Sequence, residues 1–183
     1  EGRYLGLDGT DDGYFFDLLK EAARISNDKA RVTVVCHTEN IELVNRIRRR
    51  MQAAGAGHDL KDWSASKPAF TEAESCVRAM YFAQHLGAQI YVPHLSTRMA
   101  LDEIRKWRNR YRHVLVETCP HYLTHDENSP LGGLGKANPP FRSPDDVNAL
   151  WEGLADGSIQ AGGPDHAPRK RAGKDKPRWQ AAE

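Results

Sequence analysis

Four short apolar runs, Ala30–His37, Gln89–Leu95, Val114–Thr118 and Ser158–Gly163, alternate along the chain with segments whose apolar residues recur at helical spacing. This alternation constrains the fold more than any other feature. A strand can lie parallel to its predecessor only if a crossover of a dozen or more residues returns the chain to the same end of the sheet, and a helix is the usual crossover. In the first run Val32, Val34 and Val35 are nearly continuous, which predicts a strand buried on both faces of a parallel sheet. The second run contains Pro93, which removes a ladder donor and so belongs at a strand end or bulge.

The intervening segments read as helices. Tyr14–Ile25 places Phe15, Leu18, Leu19 and Ala22 on one face, with Asp11 or Asp12 positioned to cap it. Ile41–Ala54 repeats Ile41, Val44, Ile47 and Met51 and stops at Gly55-Ala56-Gly57, while Arg46 and Arg48-Arg49-Arg50 form a solvated basic face. Thr71–Leu86 opens with an acidic first turn that suits the helix dipole, and a further helix runs from Thr97 to Trp107. Ser143 and Pro144 sit at the N-cap and first positions of a helix that stops at Asp156-Gly157. Residues 1–12, the stretch up to Pro68, the Gly/Pro-rich 124–143 and Arg169–Lys176 read as loop or coil. A loop as long as 124–143 inside a compact domain is more often functional than filler. Four strands with their helices make half of an eight-stranded barrel, so residues 1–168 are expected to form a partial α/β barrel and 169–183 a basic coil leading out of it.

A chain of 183 residues has the length of one domain, and its formal net charge of +1 offers no strong field to nucleic acid or to an anionic membrane. No apolar run approaches the ~18 residues of a membrane span. Cys36, Cys76 and Cys119 are widely separated in apolar segments, which suits reduced core thiols and a cytoplasmic setting. The first residues carry neither a start methionine nor a signal peptide, and the chain reads as cut from something longer.

His37, His94 and Asp165 each fall at the C-terminal end of an expected parallel strand, so all three should face one rim. Imidazole nitrogen and carboxylate oxygen are ligands for zinc or a similar divalent ion, and the Asp165-His166 pair in a Gly/Pro turn can equally move a proton. His121 and His166 follow strand ends and could support a ligand from behind or touch a substrate. Cys119 has no evident base partner and reads as a buried thiol. Ser96 lies outside any nucleophile-elbow pattern. His58, His85, His113 and His125 read as surface residues.

Five stretches together carry a resemblance: Val35-Cys36-His37-Thr38-Glu39-Asn40, Tyr91-Val92-Pro93-His94-Leu95-Ser96-Thr97, Glu117-Thr118-Cys119-Pro120-His121-Tyr122-Leu123, Asn138-Pro139-Pro140-Phe141-Arg142-Ser143 and Asp165-His166-Ala167-Pro168. In this order they resemble the cyclic amidohydrolases, the group of dihydroorotase, dihydropyrimidinase (hydantoinase) and allantoinase. The resemblance implies a TIM-type (β/α)8 barrel of metal-dependent hydrolases, here about strands 5 to 8, with one or two divalent ions, usually zinc, that activate hydroxide to open a cyclic amide. It makes His37 and His94 the metal ligands of the fifth and sixth strands. Asp165 becomes the eighth-strand ligand and the general base and acid, and Asn138 and, more weakly, His166 become substrate contacts. The expected partner is a small cyclic amide rather than nucleic acid or membrane, and a homo-oligomer is expected because a half barrel has unpaired edges.

The departures are specific. The family's first-strand His-x-His pair and its fourth-strand lysine or acid have no counterpart here, and Pro93 and Pro164 replace the usual residues before His94 and Asp165. The chain alone is therefore expected to be inactive. The alternative reading is a non-catalytic, dihydropyrimidinase-like structural protein. Signals for the ring conflict, since the Asn-Pro-Pro stretch resembles dihydroorotase and the Cys-Pro-His-Tyr-Leu stretch resembles hydantoinases and allantoinases.

Overall fold

The computed structural model describes residues 3–4, 7–8, 10–27, 29–57, 59–168 and 170–174. Its centre is a parallel four-stranded sheet in sequential order, β3 (Thr33–Val35), β4 (Gln89–Val92), β5 (Val114–Thr118) and β6 (Ala161–Gly162). An antiparallel pair, β1 (Arg3–Tyr4) and β2 (Leu7–Asp8), precedes it, where the sequence had suggested only loop. Sequential parallel strands separated by helices form an incomplete α/β barrel. Among the described residues β3 and β6 each pair on one side only.

The helices are α1 (Asp12–Ile25), α2 (Ile41–Ala53), α3 (Leu60–Ala65), α4 (Ala69–Leu86), α5 (Arg98–Arg108), α6 (Pro120–Thr124), α7 (Pro144–Ala155) and α8 (Arg171–Lys174), with a 3-10 turn at Gly132–Gly135. Their starts follow capping chemistry. The Asp11 carboxylate accepts from Tyr14 N at 2.8 Å, and Thr97 Oγ1 accepts from Ala100 N at 3.2 Å. Ser143 and Asp146 form a reciprocal capping box. The Pro68 coil contains α3, because Asp59 caps it through Asp62 N at 2.9 Å and Leu60 and Trp63 are buried. Within the expected basic coil after residue 168, Arg171–Lys174 forms a helical turn, and Lys174 Nζ donates to Lys136 O at 2.6 Å. Arg169, Lys176 and His58 lie outside the described residues.

The two faces of the sheet differ. Val34, Ile90, Val92, Val114 and Val116 are buried beneath the helices with Leu19, Met80, Leu101, Ile104 and Leu150. Each such aliphatic side chain stabilises the fold by roughly 1.5–3 kcal/mol through burial. On the other face Val35 is 65% exposed and Leu115 36%. The expectation of a first strand buried on both faces therefore fails, because the opposite wall of a barrel would be needed to cover Val35. On this inner face Tyr91 Oη donates to Glu117 Oε2 at 2.5 Å. Gly163 lies so close that a Cβ there would fall 2.3 Å from Glu117 Oε2, so a larger residue two positions before Asp165 would displace the Glu117 carboxylate.

The last strand is shorter than the sequence suggested. Its pairing begins only at Ala161, because Gln160 uses its side-chain Oε1 as well as its backbone to hold Val116: it accepts from Val116 N at 3.0 Å and donates from its own N to Val116 O at 3.0 Å. Among the described residues no helix is long and apolar enough to cross a membrane.

Candidate metal centre

Parallel register puts the C-terminal ends of all four strands on one rim. Bonds beyond the strands carry that order into the loops: Cys36 N donates to Tyr91 O at 3.0 Å, and Leu95 N donates to Glu117 O at 2.8 Å. Thr118 Oγ1 closes the latter turn on Leu95 O at 2.8 Å. Between these ties stands His94, whose φ of 43° is left-handed and unusual for a residue with a side chain. His37 Nδ1 and His94 Nε2 meet at 3.0 Å, although 57 residues separate them in sequence. His94 is 7% exposed, whereas the His37 side chain is 39% exposed and opens to solvent.

A buried polar network backs the pair. His37 Nε2 faces Glu39 Oε2 at 3.1 Å, and the same oxygen accepts from Lys67 Nζ at 3.1 Å. The Lys67 ammonium also lies 5.1 Å from the centre of the Trp63 ring. Beneath His94, Glu72 accepts from Ser96 N at 3.0 Å, from Ser96 Oγ at 3.1 Å and from Thr97 Oγ1. Arg142 joins the two halves: its Nε donates to Ser96 Oγ at 3.0 Å, and its Nη1 donates to Lys67 O. Glu39, Lys67, Glu72 and Arg142 are all buried.

Electrostatics follow from this packing. Burial raises Glu39, but Lys67, His37 and Arg142 outweigh it and hold the carboxyl well below its usual range. For Glu72 burial prevails over Arg142 and the Ser96 and Thr97 hydrogen bonds, and its pKa rises. Burial and then His37 push His94 down to about 4, against the opposing pull of Asp165 and Glu39. Burial, then Asp165 and Glu117, push the Cys119 thiol up to about 12, which fits a buried thiol and not a nucleophile.

Asp165 is exposed and has a φ of 45°, the second left-handed non-glycine residue among the described residues. It follows the C-terminal end of β6 on the same rim, where its charge favours protonated His94 and His121 and adds to the rise of Cys119. His121 packs edge-on against Tyr122 and Phe141, and among the described residues its buried Nε2 has no hydrogen-bond partner. His166 is exposed. Asn138 is half-buried in a loop anchored on both sides: Trp63 Nε1 donates to Ala137 O at 2.8 Å, and Tyr122 Oη donates to Pro139 O at 2.5 Å. Of the other histidines, His85 is exposed, and His113 and His125 are half-buried.

The two converging imidazoles suit a divalent metal. Nitrogens about 2.0–2.1 Å from a tetrahedral zinc ion stand roughly 3.3 Å apart, close to the spacing found here. Among the described residues no three His, Cys, Asp or Glu side chains close around one point, so Asp165 shares the rim without joining the pair in one coordination shell. The sequence singled out the pair and Asp165 but gave Glu39, Lys67, Glu72 and Arg142 no role in the site. Glu72 had the look of a first-turn acid and Lys67 of coil. The usable signal was Glu39 two residues after a strand-end histidine.

Comparison with known proteins bears on the family and the fold. An allantoinase from Rubrobacter xylanophilus is 31% identical over 174 residues, 92% of this chain. The chain belongs to the cyclic amidohydrolase family. Among solved cyclic amidohydrolases, D-hydantoinase from a Bacillus species superposes with a TM-score of 0.86 at 29% identity over 96% of the chain. D-hydantoinase (dihydropyrimidinase) from a Thermus species does so with 0.85 at 26% identity over 98%. The chain spans 37%, 38% and 40% of these three proteins, respectively. No family model matches it. Members of the family are generally metal-dependent.

Proposed function

We propose that the whole enzyme hydrolyses the amide bond of a small ring such as a hydantoin, a dihydropyrimidine or a dihydroorotate-like compound. The observation that carries this reading is the meeting of His37 Nδ1 and His94 Nε2 at 3.0 Å on the rim of a parallel sheet. His37 and His94 are the residues of this chain that would hold one divalent ion, and Asp165 would serve a second where two are bound, zinc being the best match to nitrogen and carboxylate donors. A divalent metal would supply Lewis acidity to the scissile carbonyl and to water.

The chain's own residues do the rest. Asp165 takes the proton of the attacking water and passes it to the departing ring nitrogen, which keeps the leaving group from departing as an amide anion. Its exposure on the rim leaves the carboxylate open to a bound ring. His94, buried and held down in pKa, stays neutral near pH 7 and keeps a lone pair for coordination. Asn138, on its doubly anchored loop, and His166, next to Asp165, contact the ring. The partner is this small substrate rather than nucleic acid or membrane. The enzyme is a cytoplasmic homo-oligomer, and residues 1–168 form its barrel portion.

The test is a substrate panel of hydantoin, dihydropyrimidine, allantoin and dihydroorotate offered to the full-length protein loaded with Zn²⁺. Ring opening of at least one is expected, with Asp165→Asn slower by about 10²–10⁴-fold. Ring opening undiminished in Asp165→Asn would refute the proton-transfer assignment, and inertness toward the whole panel would refute the activity.

A further inference from the structure

We infer that Lys67 and Glu39 are positioning residues for His37, which set the tautomer of its ring and so decide which nitrogen is offered at the rim. The inference rests on the metal reading of the histidine pair but concerns a different part of the chain, the buried side of the ring.

An imidazole has two inequivalent nitrogens, and the one that faces a fixed acceptor must carry the hydrogen. His37 Nε2 stands 3.1 Å from Glu39 Oε2, a carboxylate oxygen. That oxygen also receives the Lys67 ammonium at 3.1 Å, so its lone pairs are committed and the group functions as an acceptor. The hydrogen of a neutral His37 ring therefore sits on Nε2. Nδ1 is then bare, and it points at His94 Nε2, 3.0 Å away.

The support is stiff. The Lys67 side chain is fully buried and that of Glu39 is 2% exposed, so neither can exchange its contact for water without opening the core. Lys67 is held in turn, because its backbone carbonyl takes the Arg142 Nη1 donor and its ammonium lies over Trp63. Glu39 is only two residues from His37, a spacing that lets one loop supply both the ligand and its support. This arrangement was not visible as a motif because Lys67 comes from the distant turn between α3 and α4.

The experiment begins with the unaltered chain. Its histidines are labelled with nitrogen-15, the protein is stripped of metal at mildly alkaline pH, and the His37 signals are assigned by their loss in His37→Gln. The expected spectrum shows His37 as a single tautomer protonated at Nε2. A ring protonated at Nδ1 would overturn the inference without need of any further variant.

The second arm replaces the ion pair with apolar residues in Glu39→Leu/Lys67→Met, which avoids leaving one buried charge alone. The double variant should show a mixed His37 tautomer and an affinity for Zn²⁺, by competition with a chromophoric chelator, about 10–100-fold below that of the unaltered chain. Lys67→Arg, with Glu39 intact, should keep the single His37 tautomer and hold Zn²⁺ affinity within about threefold of the unaltered chain. A folded double variant with unchanged tautomer and unchanged Zn²⁺ affinity would overturn the inference. If the double variant fails to fold, the tautomer of the unaltered chain still decides. Inertness toward the substrate panel would strike the proposed activity alone, since neither the tautomer nor Zn²⁺ affinity depends on turnover.

Discussion

The rim has two unlike regions. At the ends of β3 and β4, His37 and His94 rest on buried charges that tie α3, α4 and the 138–142 loop together. At the end of β6, Asp165 is exposed and follows a two-residue strand. The difference is between a site whose geometry is fixed by the core and one whose geometry is fixed only by a kinked backbone. Ligands that must face each other at a set distance benefit from the first arrangement. A group that must reach toward a substrate and release a proton is suited to the second.

The comparison can be broken most directly at Lys67. Lys67→Met strands the Glu39 carboxylate in the core, and urea denaturation should show a loss of about 3–5 kcal/mol, as for other buried pairs deprived of one partner. A loss below about 1 kcal/mol would mean that the histidine side is no better supported than the Asp165 side.

Acidification should act next, and in a definite direction. Because His94 is held neutral, with its pKa lowered to about 4 from the ordinary 6.5, its contribution to stability is complete above pH 6.5 and is lost as pH falls toward 4. The urea midpoint of the metal-free chain should therefore drop across that window, and less so in His94→Asn. A midpoint flat between those values would remove the electrostatic part of the contrast.

The smallest effect is expected at Asp165. Asn tolerates left-handed backbone nearly as well as Asp, and the site is exposed, so Asp165→Asn should change stability by less than about 0.5 kcal/mol while slowing ring opening by about 10²–10⁴-fold. A large loss of stability would show that the two regions are mechanically coupled.

The parts of this arrangement that were legible in the sequence are those set by local rules. Alternation of β-branched runs with helical spacing gave the parallel half barrel, Ser143 announced its helix as an N-cap, and of the Asp11 and Asp12 alternatives Asp11 is the cap. Pro93 marked the end of its strand, since β4 stops at Val92. The histidine pair was legible because both residues follow strands. The buried support was not, because Lys67, Glu72 and Arg142 take their meaning from neighbours 24 to 75 residues away. The exposure of Val35 was hidden for a similar reason: an apolar strand reads the same whether or not the far wall of a barrel stands opposite it.

Left-handed backbone at His94 and Asp165 also limits which side chains either position can accept. β-Branched residues would be eliminated there by conformation before chemistry was ever consulted. A saturation library at these two sites would thus sort its survivors twice, first by turn and then by reactivity. Comparing Asn with Val at position 94 separates the two filters: both abolish the imidazole, but only Asn keeps the bend.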